Sequence, residues 1–390
     1  MTAAATPAPP GLRPGAVLAR VDEELRALWA TPPAPGEMAK ARACTMNLVV
    51  IAATTELADR WVPIVDQVLL GLPARAIVVG LDPDGPEGLE ATTSAVCTPG
   101  ESGGPAVCSE RVTLVARGAV CARLASCVST LCATDVPTAL VWLGRVHADD
   151  PTFAALARDA GRIVLDAAAG SLASLANVVY WARARAAADR PGVADLAWTR
   201  LAPWQELCAR MFDEPRLRAL AGRVSRVTLV QASPAGVPLG SEGALLLGWL
   251  ATRLGWKAAS LAGKLRLLRP DPVAGEATVE IVLRAEPARP APRDALLAIQ
   301  LEAAGADLSI RGEVAREPGP SDPHGDAAAW RLEVRAGGSP PQMQEQRVRL
   351  RADEPARLLE RTLHRPPHDA ALAEAVAWAD ELRGEELACG

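Results

Sequence analysis

Residues 44–53 read CTMNLVVIAA. From Leu48 to Ala53 every side chain is apolar, and Val49, Val50 and Ile51 are β-branched. An apolar run without alternation marks a strand covered on both faces. On its N-terminal side, Val17, Leu18, Val21, Leu25 and Leu28 stand at helical spacing within residues 15–30. On its C-terminal side, Leu57, Trp61, Ile64, Val65, Val68 and Leu69 line one side of a second helix. Pro63 is expected to kink that helix or to mark its first turn.

The same alternation continues. Strands are expected at RAIVVGL (75–81), ERVTLVAR (110–117), VPTALVWLG (136–144) and GRIVLDAA (161–168), with a Gly/Pro-rich loop before the second of these. Helices are expected over GAVCARLASCVSTLCATD (118–135), from about 151, and over 171–188 and 203–213, with Pro203 opening the last. Repeated strand–helix alternation predicts an α/β N-terminal domain with a mostly parallel sheet flanked by helices. After RVSRVTLVQ (223–231) and a glycine-containing loop, the pattern becomes mostly strands: 277–285, 296–303, 306–313, 328–336 and 345–351. Helices at 353–363 and 367–383 close the chain. Consecutive strands with short turns predict a C-terminal α+β domain with a mainly antiparallel sheet. The expected division is a disordered tail at 1–14, a first domain at 15–218 and a second at 219–390. Residues 286–294 and 316–326 are expected to be exposed loops.

A net charge of −5 offers nucleic acid no general attraction. No stretch reaches the roughly 18–20 apolar residues of a membrane span. The start, MTAAATPAPPGLRPG, lacks the basic and apolar regions of a secretory signal, so the expected location is cytoplasmic. None of the 8 cysteines (Cys44, Cys97, Cys108, Cys121, Cys127, Cys132, Cys208 and Cys389) forms a C-x-x-C pair, which argues against a zinc ribbon or a thioredoxin-type dithiol. Cys121, Cys127 and Cys132 fall on one apolar face of their expected helix, as small core residues.

A catalytic set is hard to assemble. There are 4 His, and His364 and His368 are separated by Pro366 and Pro367. His324 lies in an expected loop. No H-E-x-x-H, Walker A, G-x-S-x-G or G-x-G-x-x-G occurs. The best small-molecule candidate is the strand–loop–helix around 231–243, where Gly236, Gly240, Ser241 and Gly243 precede or open a helix whose N–H groups suit an anion. Arg42 and Arg75, at the entrances of their strands, are further anion candidates, and Asn47 and Asp166 are polar groups at strand positions where ligands or turns are held. The helix GALLLGWLATRLGW (243–256) poses a separate question. Trp is abundant beside 1 Tyr and 2 Phe, and Trp249 and Trp256 share nearly one bearing, differing by about 20°. Each follows a glycine, which permits close backbone approach.

ARACTMNLVV (41–50), LPARAIVVGLDPD (72–84), CSERVTLVARG (108–118), TDVPTALVWLG (134–144), DLAWTRLAPWQELCARMFD (195–213) and LLLGWLATRLGW (245–256) occur in this order. Together they resemble the OpcA family, the glucose-6-phosphate dehydrogenase assembly proteins. The most specific part is the set Asp195, Trp198, Arg200, Leu201, Pro203, Trp204, Glu206, Phe212 and Asp213. Leu72 stands where the family often has His, and Gln205 where Arg is common. The resemblance implies a non-catalytic accessory protein with no cofactor, which binds glucose-6-phosphate dehydrogenase and promotes its assembly or active form. Trp and Arg anchors are enriched at binding hot spots. The candidate partner-binding residues are therefore Trp198, Arg200, Trp204, Glu206, Trp249 and Trp256. The alternative is a sugar-phosphate or nucleotide-binding enzyme or ligand-sensing regulator, using the 231–243 loop and Asp166.

Overall fold

The structure is a computed structural model that describes residues 13–30, 39–100, 104–234, 237, 239–261, 264–272, 274–287, 294–317, 327–337, 339–349 and 354–383. The expected tail, most of the two expected loops, His324, Cys389 and positions 235, 236 and 238 of the glycine loop lie outside the described residues. Contacts divide the chain into two compact units, residues 1–196 with 355–368, and residues 197–354 with 369–390. The sequence reading placed its boundary at 218/219.

In the first unit, helix α1 (Pro14–Ala30) precedes strands β1 (Lys40–Arg42) and β2 (Asn47–Ala52). Helix α2 (Thr55–Gly71) follows, then β3 (Arg75–Asp82), β4 (Gly88–Thr98) and β5 (Ala106–Arg117). Next come α3 (Leu124–Leu131), β6 (Thr138–Leu143), α4 (Pro151–Arg158), β7 (Arg162–Leu165), α5 (Leu172–Arg183) and β8 (Gly192–Asp195). The sheet order is β1-β5-β3-β2-β6-β7-β8, with β4 added on β5. Every pairing is parallel except β4 with β5. Strand β2 is buried at every position, as its unbroken apolar run requires. The core beneath it joins Leu48, Val50, Val65, Val78 and Val141. Helix α8 (Pro355–His364) returns to this unit and packs Leu358 and Leu359 into the same cluster. Arg162 closes the C-terminus of α8, its guanidinium donating to the carbonyls of Thr362 (2.8 Å), Leu363 (2.6 Å) and Arg365 (2.5 Å). A cation there complements both the unpaired carbonyls and the helix dipole.

Leu196, in the first unit's core, is the first residue of α6 (Leu196–Arg210), and the second unit begins at Ala197. It continues with β9 (Val224–Gln231), α7 (Ser241–Leu254), β10 (Lys257–Leu261), β11 (Lys264–Asp271), β12 (Gly275–Ala285), β13 (Leu296–Ala304), β14 (Leu308–Glu317), β15 (Ala327–Ala336), β16 (Gln342–Arg349) and α9 (Ala370–Arg383). The order β10-β11-β12-β9-β13-β14-β15-β16 is antiparallel throughout except for β12 with β9. The two sheets are thus the expected parallel and mainly antiparallel ones.

Several elements differ from the expected ones. GLEATTSAVCT (88–98) is strand β4, where a loop was expected. Leu89, Ala91 and Thr93 are buried in alternation, the phase changes at the buried Ser94 so that Val96 follows on the other parity, and α1 hydrogen-bonds to the strand from Arg20 to the Ala91 carbonyl. Residues 257–271 form the hairpin β10–β11. Helix α6 starts at Leu196, so Pro203 lies inside it, and α2 likewise runs through Pro63. The cysteine segment is not one helix. Residues 118–123 form a 3-10 turn before α3, and Cys132 sits beyond the last α-helical turn. Gly118, at φ +54°, turns the chain where an added Cβ would meet the Gly85 carbonyl.

Burial pushes up the Cys127 and Cys132 thiols and takes Cys208 to about 12, which favours the protonated thiol at neutral pH. Cys97 and Cys108 face each other across β4 and β5 and form a disulfide. Their 11-residue separation predicts that Cys97→Ser costs about 3 kcal/mol through the larger unfolded ensemble. Thermal melts with and without reductant check this, since the variant should become insensitive to reductant.

Candidate functional site

The central order β5-β3-β2-β6-β7-β8 is that of the doubly wound dinucleotide folds, whose ligands sit beyond the C-terminal strand ends where the order reverses. Here that place lies between β2 and β6. The turn out of β2 reads AATTEL (52–57), with no glycine. Thr54 caps α2, its hydroxyl accepting from the Leu57 N–H at 3.2 Å. The Glu56 carboxyl is held below the usual carboxylate range by its own backbone N–H first, and then by the Thr54 hydroxyl. The exposed Glu56 carboxylate thus belongs to the first turn, the part of the helix at which a dinucleotide fold holds a pyrophosphate. At Gly80 an added Cβ would come within 2.9 Å of Thr55 Cα, so α2 lies directly on β3. At the end of β3, Asp82 is paired with Arg117 at 3.3 Å. Asp166, at the exit of β7, accepts from the Ala168 N–H at 3.2 Å. Asn47 bonds both ways with the Ala133 backbone, accepting at 2.8 Å and donating at 3.0 Å.

Arg42 and Arg75 do converge, on a carboxylate. Glu110 in β5 is 2% exposed. It receives Arg42 Nε at 2.9 Å, Arg75 Nε at 2.7 Å and the Trp29 indole N–H at 2.5 Å. Arg75 also donates to the Leu131 carbonyl. Burying Glu110 without these donors would carry a large desolvation penalty, so both guanidinium groups are committed to it.

The N-terminus of α7 repeats this pattern. Glu242 is 4% exposed. One of its oxygens accepts from Arg200 Nη1 at 2.8 Å and the other from the Leu296 N–H at 3.0 Å. The helix cap is Gly240, without a side-chain cap bond, and Ser241 is the first helical residue. The Gly240 N–H donates to Gln231 Oε1 at 2.9 Å, and an added Cβ there would lie 2.5 Å from the Asp294 carbonyl. The Glu242 carboxylate, next to Ser241 and Gly243 in the chain, is committed to Arg200 and the Leu296 N–H.

The tryptophans divide differently from the partner-anchor expectation. Trp198, Trp204 and Trp256 are buried, Trp249 is half-buried and Glu206 is exposed. The Trp198 indole N–H donates to Asp369 Oδ2 at 2.8 Å, while Asp369 Oδ1 caps α9 at the Leu372 N–H. Asp195 is wholly buried and accepts from the Ala167 N–H at 2.7 Å. Much of the most specific sequence constellation is therefore packing and capping. On α6, Pro203, Glu206 and Arg210 share one face, at least partly exposed, at helical spacing. Sequence reasoning missed Glu110 and Glu242. The available signal was a single carboxylate at the edge of an apolar strand and in the first turn of an apolar helix. Among the described residues, no group of His, Cys, Asp and Glu is placed to hold a metal.

Fold and site together define a two-unit protein, α/β and α+β, in which the helix N-termini suited to anions carry the protein's own carboxylates. The chain belongs to the OpcA family. Residues 66–179 match the model described as the glucose-6-phosphate dehydrogenase subunit N-terminal domain, and residues 191–376 match that of the C-terminal domain. It is 31% identical over 205 residues to a Nostoc punctiforme protein named "Putative OxPP cycle protein OpcA", covering 50% of this chain and 41% of that one. A Synechocystis protein of the same name is 27% identical over 204 residues, covering 50% and 40%. The chain spans about two fifths of the length of the curated relatives it matches. An oxidoreductase structure from Sinorhizobium meliloti aligns over 88% of this chain and 90% of that one, at 11% identity and a TM-score of 0.41. That likeness is too slight to bear on function.

Proposed function

We propose that this chain is a non-catalytic accessory protein that binds glucose-6-phosphate dehydrogenase and promotes its assembly or allosteric activation in the oxidative pentose phosphate pathway of the cytoplasm. The names of the matching family models and relatives support this reading. The structural observation that carries it is that the candidate anion-binding groups are committed to internal carboxylates: Arg42 and Arg75 meet on the buried Glu110, and Arg200 and the Leu296 N–H meet on the buried Glu242. These groups supply internal structure. Neither nucleic acid nor membrane enters the reading. No helix among the described residues is long and apolar enough to cross a bilayer.

An activator needs only to bind the active form of its partner better than the inactive one, and it shifts the equilibrium by that difference in affinity. The surface assigned to this task is the exposed face of α6 around Pro203, Glu206 and Arg210, with Trp249 as a further contact. The test is dehydrogenase activity of the same organism's enzyme, titrated with this protein at fixed substrate. Saturable activation at a definite molar ratio is expected. Glu206→Arg should raise the half-maximal concentration about tenfold without lowering the melting temperature. A folded protein that leaves an active dehydrogenase unchanged would rule the reading out.

A further inference from the structure

The row of cross-strand ion pairs on the charged face of the second unit's sheet runs out at its last strand. Glu313 on β14 pairs with Arg331 on β15 at 2.9 Å, and Arg331 pairs with Glu345 on β16 at 2.8 Å. Arg347, two positions along β16, pairs with Glu317 at 2.9 Å. Among the described residues, β16 pairs only with β15.

Its burial is unlike its neighbour's. Strand β15 buries Leu332 and Val334, alternating with the less buried Arg331 and Glu333. On β16, Gln342 to Arg347 are exposed on both faces, and Met343 is 63% exposed. The cover over the sheet therefore stops at β15, while the sheet continues by one strand. A long, proline-free edge strand exposed on both faces is a template for another strand.

We propose that β16 is a self-association edge, pairing antiparallel with β16 of a second copy about a two-fold axis through Gln346. The axis follows from main-chain geometry and charge. Along an antiparallel strand, alternate residues aim their N–H and C=O groups at the same edge. Two identical edges related by a two-fold axis therefore match only when that axis passes through a residue. An axis through Glu345 sets Glu345 against itself, and one through Arg347 sets Arg347 against itself. The axis through Gln346 sets Glu345 of each copy opposite Arg347 of the other, and Gln344 opposite Val348. Like charges directly opposite destabilise a sheet and unlike charges stabilise it. The chosen register carries the row onward, from Glu313 through Arg331 and Glu345 to Arg347 of the second copy. The contact is isologous and closes at two copies.

The test is sedimentation velocity of the full chain over a concentration series. The wild-type chain is expected to dimerise. Arg347→Glu and Glu345→Arg should each weaken the dimer by about tenfold, because each sets like charges opposite twice. An equimolar mixture of these two variants should form a mixed dimer, since every facing pair is again one Glu and one Arg. A variant that merely misfolds would not be rescued by mixing. A wild-type chain that stays monomeric at every concentration overturns the proposal. So does a dimer indifferent to both changes, which would place the contact elsewhere, or a mixture that remains monomeric.

Discussion

Gly248→Val should destabilise the second unit by about 3 kcal/mol or more, a fall of about 10 °C in melting temperature for a unit of this size. A Cβ at Gly248 would lie 2.4 Å from the Ala375 carbonyl oxygen and 3.2 Å from its carbon. The obstacle is the backbone of α9, which cannot rotate away as a side chain can. Helices α7 and α9 must then separate, and the buried Leu245, Leu246, Leu372 and Val376 lose their packing. Gly248→Ala sharpens the test. By helix propensity alone, alanine would stabilise by about 1 kcal/mol. The close approach instead predicts destabilisation, so an alanine variant that melts at or above the wild-type temperature would sink this account. The repeated Gly-Trp pair thus has two separate causes. Gly248 admits another backbone, whereas Gly255, at φ +68°, ends α7 in the left-handed region with its N–H returning to the Ala251 carbonyl.

Trp204→Ala should cost about 3–5 kcal/mol. Trp204 is 1% exposed and is among the largest fully buried side chains. The Arg316 guanidinium stands 5.9 Å from the centre of its ring. Removing the indole leaves a cavity that the sheet and helix close only in part, because interiors are packed near crystal density. Urea unfolding monitored by circular dichroism measures the loss. The same variant separates packing from binding. Assayed where it is still folded, it should activate the dehydrogenase with near wild-type affinity, while Glu206→Arg should not. A Trp204→Ala protein of unchanged stability that has lost partner affinity would reverse these assignments.

The α/β character of the first half was legible in the run from Leu48 to Ala53, and the helical spacing of α1 and α2 was legible with it. Apolar periodicity reports one element's burial, and these elements are buried by their own stripe or run. Strand β4 escaped because Gly and Pro residues between 82 and 109 mark a loop, and because its alternation (Leu89, Ala91 and Thr93 buried) changes phase at Ser94 before Val96. Helix α6 was read as starting at Pro203, yet the chain is already helical at Leu196, so tertiary packing overrode a local start signal. Cys97, Cys108, Cys121, Cys127 and Cys132 all lie between 97 and 132 in the sequence. That Cys97 faces Cys108 was invisible there, since only strand register brings the two together.

By itself the sequence determined the two kinds of sheet and the likeness to one family, because each is written in residue type and local spacing. Only the tertiary structure decided what the charged and aromatic residues do. Arg42 and Arg75 meet on Glu110, Arg200 meets Glu242, and Trp198 and Trp204 turn inward. A guanidinium or an indole suits a partner surface and a core equally well. The choice is made by which carboxylate or carbonyl the fold brings within about 3 Å of it, and that distance is set by elements far apart in the chain.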